Sequence, residues 1–385
     1  MKKALRSLLF AIILSSLLLG GVACNSASEA PTDAPSDTPT DAPTDAPTEK
    51  ATKPTYAPEQ TYNITNDSEN FKIIGRSIDT EGGVSCDFTA SGIEFSGVMG
   101  GRVTLSLTCR TETHLTVFID GVRQEKRISV GSYTSKVPLA NFETEGEHHI
   151  RVLKQMNSTA PCTFRSVTVN GHLNEAPADK EYLIEFLGDS ITCGYGNLGN
   201  TTTGSVAGSA EYTDGTQAYS FLTAELLGAD ASILGCSGVG IDQGWTSFPV
   251  RDFMDKASYY RDQTLVYTDN SRAPDVVVIN LGTNDQSRGS TEEAFKAGVR
   301  EIIEYFRTFY DKDMPIVWVH GMMNNGCIDW ARAVIDELGG ESAGIYTVEL
   351  IHNNTGGNGH PNLASHKTAA QQLADFITEK ELLSK

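Results

Sequence analysis

Four short segments of the chain carry groups that together could transfer an acyl group. The first is EFLGDSIT at residues 185–192, which contains Ser190. The others are SG at 237–238, GTND at 282–285 and HPN at 360–362. Acyl transfer needs a nucleophile, a general base and donors that stabilise an oxyanion. Serine, histidine, backbone N–H groups and an asparagine amide can supply these functions.

Ser190 and His360 are the candidate catalytic pair. Ser190 follows a predicted strand, at the edge where open α/β sheets bind ligands. A neutral imidazole at His360 can take the serine proton near pH 7. Either residue could instead cap a helix, and we interpret Asp189 and Asp285 as supports for their turns.

The four segments lie in a region whose pattern alternates strands and helices. Apolar runs typical of a buried parallel sheet occur at 183–187, 231–234, 276–281, 316–320 and 345–350. Helical patterns occur at 218–227, 291–310, 331–338 and 366–383. The pattern predicts a three-layer α/β domain over residues 182–385, with a site built by loops at the strand ends.

A second domain is predicted at residues 63–175. Short β-branched runs, separated by turn signals such as Asp120-Gly121, favour an antiparallel β-sandwich of jelly-roll type. The candidate strands are 71–76, 92–95, 103–109, 115–119, 149–153 and 164–169. A fold of this type does not by itself establish sugar binding, and we favour a structural companion of the α/β domain.

The four segments resemble the sequence blocks of the SGNH, or GDSL-like, hydrolase superfamily. The string GDSITCGYGN at 188–197, with the β-rich segment before it, more narrowly resembles carbohydrate esterase family 2. The superfamily resemblance covers residues 182–385, and the narrower one extends back to residue 63. It implies an SGNH hydrolase domain and a serine acyl-enzyme mechanism.

The matched blocks imply a role for each candidate residue. Ser190 would be the nucleophile and His360 the general base. The oxyanion donors would be the backbone N–H groups of Ser190 and Gly238 and the side-chain amide of Asn284. The structural alternative for Gly238 and Asn284 is turn formation.

The third member of a catalytic triad is missing from its usual place. Superfamily members commonly carry an aspartate three residues before the histidine, where this chain has Gly357. Residues 355–359 contain no carboxylate. We therefore predict a Ser-His dyad in which a backbone carbonyl orients the Nδ1 proton of His360. Glu349 or a distant aspartate is the alternative.

The N-terminus predicts an export signal and a tether. Basic residues precede an apolar run at 8–19, and small residues lead to Cys24, which resembles a bacterial lipoprotein cysteine although Gly21 departs from that pattern. From Pro31 to Pro47 a proline recurs at every fourth residue, and residues 25–62 are predicted to form a disordered linker. With residues 1–24 as signal peptide, we expect an extracellular lipoprotein at the cell surface. Without lipidation of Cys24, the protein would be secreted.

Composition excludes several other partners. A formal net charge of -19 argues against nucleic acid. After residue 24 no apolar stretch is long enough to span a bilayer, so membrane contact is expected only through a lipid anchor. The sequence has no CxxC or HExxH motif, and we predict no metal and no cofactor. For Cys86, Cys109 and Cys162, a disulfide and simple burial are both open.

The resemblance to family 2 implies removal of O-acetyl groups from plant polysaccharides such as xylan or glucomannan. Tyr195, Trp245 and Trp330 could stack on sugar faces or pack internally. The alternatives are a lipase or thioesterase of the superfamily, an acyltransferase, or a non-catalytic carbohydrate-binding lipoprotein. The β-rich domain favours a carbohydrate substrate, and the presence of both Ser190 and His360 favours an enzyme.

Overall fold

The computed structural model describes residues 55–156, 159–259, 263–324 and 326–383. The predicted export signal, Cys24 and residues 25–54 of the predicted linker lie outside these ranges. Among the described residues, no helix has both the length and the apolar character needed to cross a membrane. The described residues belong to one compact unit, in which a β domain is followed by an α/β domain.

The β domain is a 10-stranded antiparallel sheet that bends around an apolar core. Its strands are β1 (Glu59–Asn63), β2 (Lys72–Ile74), β3 (Ser77–Thr80), β4 (Gly83–Cys86), β5 (Gly92–Cys109), β6 (Thr113–Ile119), β7 (Val122–Arg123), β8 (Ile128–Val130), β9 (Thr134–Lys154) and β10 (Cys162–Leu173). The order is β3-β4-β10-β5-β9-β6-β7, with β1 on β10, β2 on β5 and β8 on β6. Alternate residues of β5 and β10 are buried, as expected for strands with one face on a core.

Two predicted strands of this domain are parts of one longer strand. The predicted strands 92–95 and 103–109 are parts of β5, which continues through a register shift between Met99 and Gly101. Gly101 has a φ of 58°, which lets the strand bend at a bulge without ending. The glycine pair therefore marks a bend within one strand, where the sequence pattern indicated a break between two.

The domain also begins earlier in the chain than predicted. Strand β1 starts at Glu59, inside the predicted linker 25–62, and pairs with β10 from Glu59 opposite Asn170. Its burial pattern is mostly exposed, so it lacks the apolar alternation from which a strand would be predicted.

Cysteine pairing is resolved within the β domain. Cys109 and Cys162 lie opposite each other on β5 and β10 and form a disulfide. Cys86, opposite Cys162 on the other side of β10, is buried and free. Both interpretations of these cysteines therefore apply, the disulfide to one pair and burial to Cys86.

The α/β domain has a 5-stranded parallel sheet between two helical layers. Its strands, in the order β12-β11-β13-β14-β15, are β11 (Leu183–Gly188), β12 (Asp230–Gly235), β13 (Val276–Asn280), β14 (Ile316–Gly321) and β15 (Ile345–Leu350). Its helices are α1 (Tyr219–Leu226), α2 (Thr283–Arg288), α3 (Glu292–Phe309), α4 (Ile328–Glu337) and α5 (Leu363–Glu379). One core packs α3 and α4 on the sheet, and the other packs α1 and α5.

The predicted fold class is confirmed: a β domain precedes a three-layer α/β domain with a parallel sheet. All five predicted strands of the α/β domain are present. Helix α2 is an addition, because its short polar sequence TNDQSR carries no apolar periodicity.

Strand register brings the candidate segments together. Gly188, at the end of β11, is level with Gly235 on β12 and with Asn280 on β13. Because β11 lies between its two neighbours, the loops that follow these three strands meet at one edge of the sheet. Those loops carry Ser190, Gly238 and Asn284.

Candidate active site

Ser190 and His360 are in direct contact. The Ser190 hydroxyl oxygen lies 2.8 Å from Nε2 of His360. Ser190 is 6% exposed on the turn after β11, and His360 precedes α5 on the loop after β15. At this distance the imidazole can accept the hydroxyl proton as the oxygen attacks a carbonyl.

A backbone carbonyl holds the second ring nitrogen of His360. Nδ1 lies 3.2 Å from the carbonyl oxygen of Asn358. A proton on Nδ1 would be donated to this carbonyl, which leaves Nε2 as the acceptor facing Ser190. Asn358 adopts the left-handed conformation, with φ 52° and ψ 39°, between two glycines. This conformation directs its carbonyl toward the ring.

The position where a triad aspartate would stand has no room for a side chain. A Cβ on Gly357 would lie 2.7 Å from Cβ of Ala207 and 3.2 Å from the carbonyl oxygen of Gly196. The Gly357 N–H donates to that same carbonyl at 2.9 Å. Close packing against these neighbours therefore explains the glycine.

Glu349, the alternative candidate for the third member of a triad, pairs with a different residue. Its Oε2 lies 3.2 Å from Nη2 of Arg332, and both side chains are partly exposed. Both ring nitrogens of His360 already have partners in Ser190 and Asn358. The geometry is that of a Ser-His dyad oriented by a carbonyl.

The environment favours the neutral form of His360. Burial lowers its pKa below the ordinary histidine value, and hydrogen bonding to the backbone of Asn358 and Gly357 opposes only part of this effect. The ring also packs against Tyr195, with 4.4 Å between ring centroids. A neutral imidazole is the form that can act as a general base.

Two of the three predicted oxyanion donors are available. Among the hydrogen bonds of the described residues, none has the N–H of Ser190 or Gly238 as its donor. Gly238 has a φ of 84°, and its carbonyl accepts the N–H of Trp245 at 2.7 Å. The turn at Gly238 is therefore held through its carbonyl while its N–H stays available to a ligand.

The third predicted donor, Asn284, already has protein partners. Its Nδ2 donates to the carbonyl of Val239 at 2.8 Å and to Oδ2 of Asp189 at 3.1 Å. The amide thus ties together the loops after β11, β12 and β13. It can donate to an oxyanion only by exchanging one of these bonds.

Two buried aspartates shape these loops. Asp189 is fully buried, and its Oδ1 accepts the N–H of Ile191 at 2.9 Å. Burial raises the pKa of Asp189 to about 7, and the nearby Asp285 carboxylate contributes in the same direction. The Asp285 carboxylate accepts three backbone N–H groups, from Ile241 at 2.9 Å, Asp242 at 2.8 Å and Gln243 at 3.0 Å. Asp189 carries a perturbed pKa that sequence patterns do not reveal.

The three aromatic candidates have different environments. Trp330 packs against Phe295 at 5.8 Å between centroids and borders the core. Tyr195 packs against His360. Trp245 is 68% exposed, with the Arg288 guanidinium 4.6 Å from its ring centroid. Of the three, Trp245 offers the most open ring face beside the site.

Comparison with known families agrees with this arrangement. Residues 186–373 match the GDSL-like Lipase/Acylhydrolase family, and residues 73–177 match the Carbohydrate esterase 2 N-terminal family. The chain combines a GDSL-like hydrolase domain with a carbohydrate esterase 2 N-terminal domain. The GDSL-like domain is the α/β domain with Ser190 and His360, and the esterase 2 N-terminal domain is the β domain.

Several known proteins are similar to most of this GDSL-like chain. Cellulase/esterase CelE of Acetivibrio thermocellus is 29% identical over 311 residues, which cover 77% of this chain and 38% of CelE. An acetylxylan esterase / glucomannan deacetylase of Cellvibrio japonicus is 23% identical over 338 residues, which cover 83% of this chain and 91% of that protein. The structure of a family two carbohydrate esterase from Clostridium thermocellum in complex with cellohexaose has a TM-score of 0.76 at 27% identity, covering 81% of this chain and 99% of that one.

Proposed function

We propose that this protein is an extracellular carbohydrate esterase that removes O-acetyl groups from plant polysaccharides, xylan or glucomannan, by a serine acyl-enzyme mechanism. The observation that carries the proposal is the 2.8 Å contact between Ser190 and His360 beside two available N–H donors. The esterase 2 N-terminal domain and the acetylxylan esterase among the relatives support a carbohydrate ester as substrate.

The first half of the reaction forms an acetyl-enzyme. The Ser190 oxygen attacks the acetyl carbonyl carbon while Nε2 of His360 takes the hydroxyl proton. The resulting oxyanion accepts hydrogen bonds from the N–H groups of Ser190 and Gly238, and these fixed donors stabilise it more than the ground-state carbonyl. Collapse breaks the bond to the sugar oxygen, which takes the proton from His360.

The second half regenerates the enzyme. His360 takes a proton from water as the water oxygen attacks the acetyl carbonyl carbon. The same N–H groups stabilise the second oxyanion. Its collapse releases acetate and returns the proton to Ser190. The Asn358 carbonyl keeps the ring oriented for both proton transfers, so the cycle needs no carboxylate on His360.

The exposed ring of Trp245 supports a sugar-binding role near the Gly238 turn. An aromatic face offers apolar area to the C–H face of a sugar ring. A neutral polysaccharide chain could lie over Trp245 while its acetyl group enters between Ser190 and Gly238. The cellohexaose complex of the similar esterase supports a site open to a chain-like ligand.

Acetate release from acetylated xylan and glucomannan tests the proposed function. We expect release by the wild-type protein, and a fall in kcat of at least about 10⁴-fold in Ser190→Ala and in His360→Ala. Ser205→Ala, an exposed serine on the nearby turn Gly204–Gly208, is the matched control and should retain full activity. Undiminished activity of Ser190→Ala would exclude the nucleophile, and faster turnover of long-chain esters would favour a lipase.

The N-terminal sequence supports a cell-surface location for this activity. A lipid on Cys24 would hold the enzyme outside the cell, where polymeric substrates are found. In a bacterial host, Cys24→Ser should move the protein from the membrane fraction to the soluble or secreted fraction. Unchanged retention in the membrane would contradict the anchor.

A further inference from the structure

The turn at residues 194–197 contacts the candidate base. The ring of Tyr195 packs on the ring of His360 at 4.4 Å between centroids. The carbonyl of Gly196 accepts the N–H of Gly357, in the loop that ends at His360, at 2.9 Å. A Cβ on Gly196 would lie 2.7 Å from the Gly357 carbonyl oxygen, so the two segments are in close contact. A shift of this turn would therefore move His360.

Asn197 attaches this turn to Asp214. The Asn197 amide donates from Nδ2 to the carbonyl of Asp214 at 2.8 Å, and its Oδ1 accepts the Asp214 N–H at 3.0 Å. Asn197 is 1% exposed and Asp214 is 0% exposed. The position of the Asp214 backbone thus determines the position of the turn.

The Asp214 carboxylate is held by a cation from the other domain. Its Oδ1 accepts the N–H of Thr216 at 3.0 Å and the hydroxyl of Thr216 at 2.6 Å. Its Oδ2 accepts Nε2 of Gln217 at 2.9 Å and Nη2 of Arg123 at 2.7 Å. Arg123 is on β7 of the β domain, and its Nη1 also donates to the Thr216 hydroxyl at 2.7 Å. A buried carboxylate needs such a partner, because an unpaired buried charge is strongly destabilising.

We propose that Arg123 of the β domain is a positioning residue for His360. Arg123 holds Asp214, Asp214 holds the 194–197 turn through Asn197, and the turn holds the ring and the loop of the base. The inference rests on the proposed function, since it assigns His360 the role of general base. The β domain would then support catalysis by fixing the base, without itself contacting the substrate.

Kinetic comparison of two interdomain arginines tests this inference. Arg123→Met should lower kcat for an acetyl ester by about tenfold to a hundredfold with KM changed less than about twofold, because misplacing a catalytic group lowers the rate of the chemical step. Arg151→Met is the matched control: it breaks an interdomain pair with Glu225, at 2.7 and 2.9 Å, on α1. Its kcat should stay within about twofold of wild type.

Thermal unfolding of both variants separates positioning from loss of stability. Assays are run well below both unfolding temperatures, so that only folded protein is compared. A kcat for Arg123→Met equal to that of wild type, or an equal fall in both variants, would overturn the inference.

A double variant tests whether the unpaired charge of Asp214 causes the fall in kcat expected for Arg123→Met. Arg123→Met with Asp214→Asn removes both charges and keeps an amide oxygen to accept from Thr216. We expect its kcat to recover to within about threefold of wild type, and it remains informative if the single variant does not fold. A kcat as low as that expected for Arg123→Met alone would overturn the inference.

The failure of this inference is distinguishable from failure of the proposed function. A wild-type protein that releases no acetate and whose Ser190 is not labelled by a fluorophosphonate contradicts the proposed function. An active wild type whose Arg123→Met variant keeps its kcat contradicts only the role of Arg123.

Discussion

The proton chemistry of the site depends on which nitrogen of His360 carries its hydrogen. The Asn358 carbonyl, 3.2 Å from Nδ1, favours the tautomer in which Nε2 faces Ser190. A carbonyl orients the ring but carries no full charge, so it stabilises the imidazolium less than a carboxylate would. Both ring nitrogens of His360 thus have hydrogen-bond partners, but no charged group among the described residues stabilises the ring.

The pH dependence of activity should report the ionisation of His360, whose ring is partly buried. His360 must be neutral to act as a base, and burial lowers its pKa below the ordinary histidine value. As pH falls, kcat/KM should therefore hold until the pH passes through this lowered pKa, and then decline. The measurement is kcat/KM against pH with a soluble acetyl ester.

Burial raises the pKa of Asp189 to about 7, so the pH profile must also be measured for a variant that lacks this carboxyl group. In Asp189→Asn, the acid limb should persist with its midpoint below the ordinary histidine value. Loss of the limb in this variant would assign it to Asp189 and contradict the role given to His360.

The elements of the α/β domain bring distant segments to one edge. Strands β11, β12 and β13 end level with one another, and the loops after them are tied by the Asn284 amide. His360, the proposed base, lies on a separate loop after β15, in which Gly357 donates its N–H to the carbonyl of Gly196. Close contact between these loops leaves little room for larger side chains.

Replacing Gly357 with aspartate should therefore not produce a functional catalytic triad. In Gly357→Asp, the new Cβ would lie 2.7 Å from Cβ of Ala207, and overpacking of this kind costs about 1–3 kcal/mol. We expect a lower free energy of unfolding in urea and a lower kcat. Adding Ala207→Gly should recover part of the stability. A kcat above that of wild type would mean that the loop makes room for a carboxylate and completes a triad.

Ion pairs, together with apolar contacts, join the β domain to the α/β domain. Arg76 of the β domain donates to Glu185 of β11 at 2.9 Å, with both side chains almost fully buried. Arg151 and Arg123 make comparable contacts to Glu225 and Asp214. Because breaking a buried pair leaves an uncompensated charge, the two domains should unfold together.

Global stability should also depend on the disulfide of the β domain. The Cys109–Cys162 bond closes a loop with a sequence separation of 53, and in the chain-entropy model its loss costs about 4 kcal/mol. Cys109→Ala with Cys162→Ala should lower the free energy of unfolding by about 2–4 kcal/mol. A reductant should lower the stability of wild type and leave that of the double variant unchanged. An equal response of both proteins would contradict this assignment.

Most of the α/β architecture could be predicted because its signals are local. The run at 345–350 is β15 itself, and the apolar spacing of Phe295, Val299 and Ile302 marks the buried face of α3. Helix α2 and strand β1 lack such periodicity. In the sequence, the glycines at the β5 bulge resemble the end of a strand. These elements form because of their tertiary contacts.

Residue identity and hydrophobic periodicity are local properties, so the sequence alone was enough to predict the chemical groups available to the site and the strands that carry them. Which groups meet could be seen only in the folded chain: the Asn358 carbonyl contacts His360, the Asn284 amide bonds to both Asp189 and Val239, and Arg123 bonds to Asp214. Most of these contacts join residues far apart in the chain, and their distances follow from the packing of both domains.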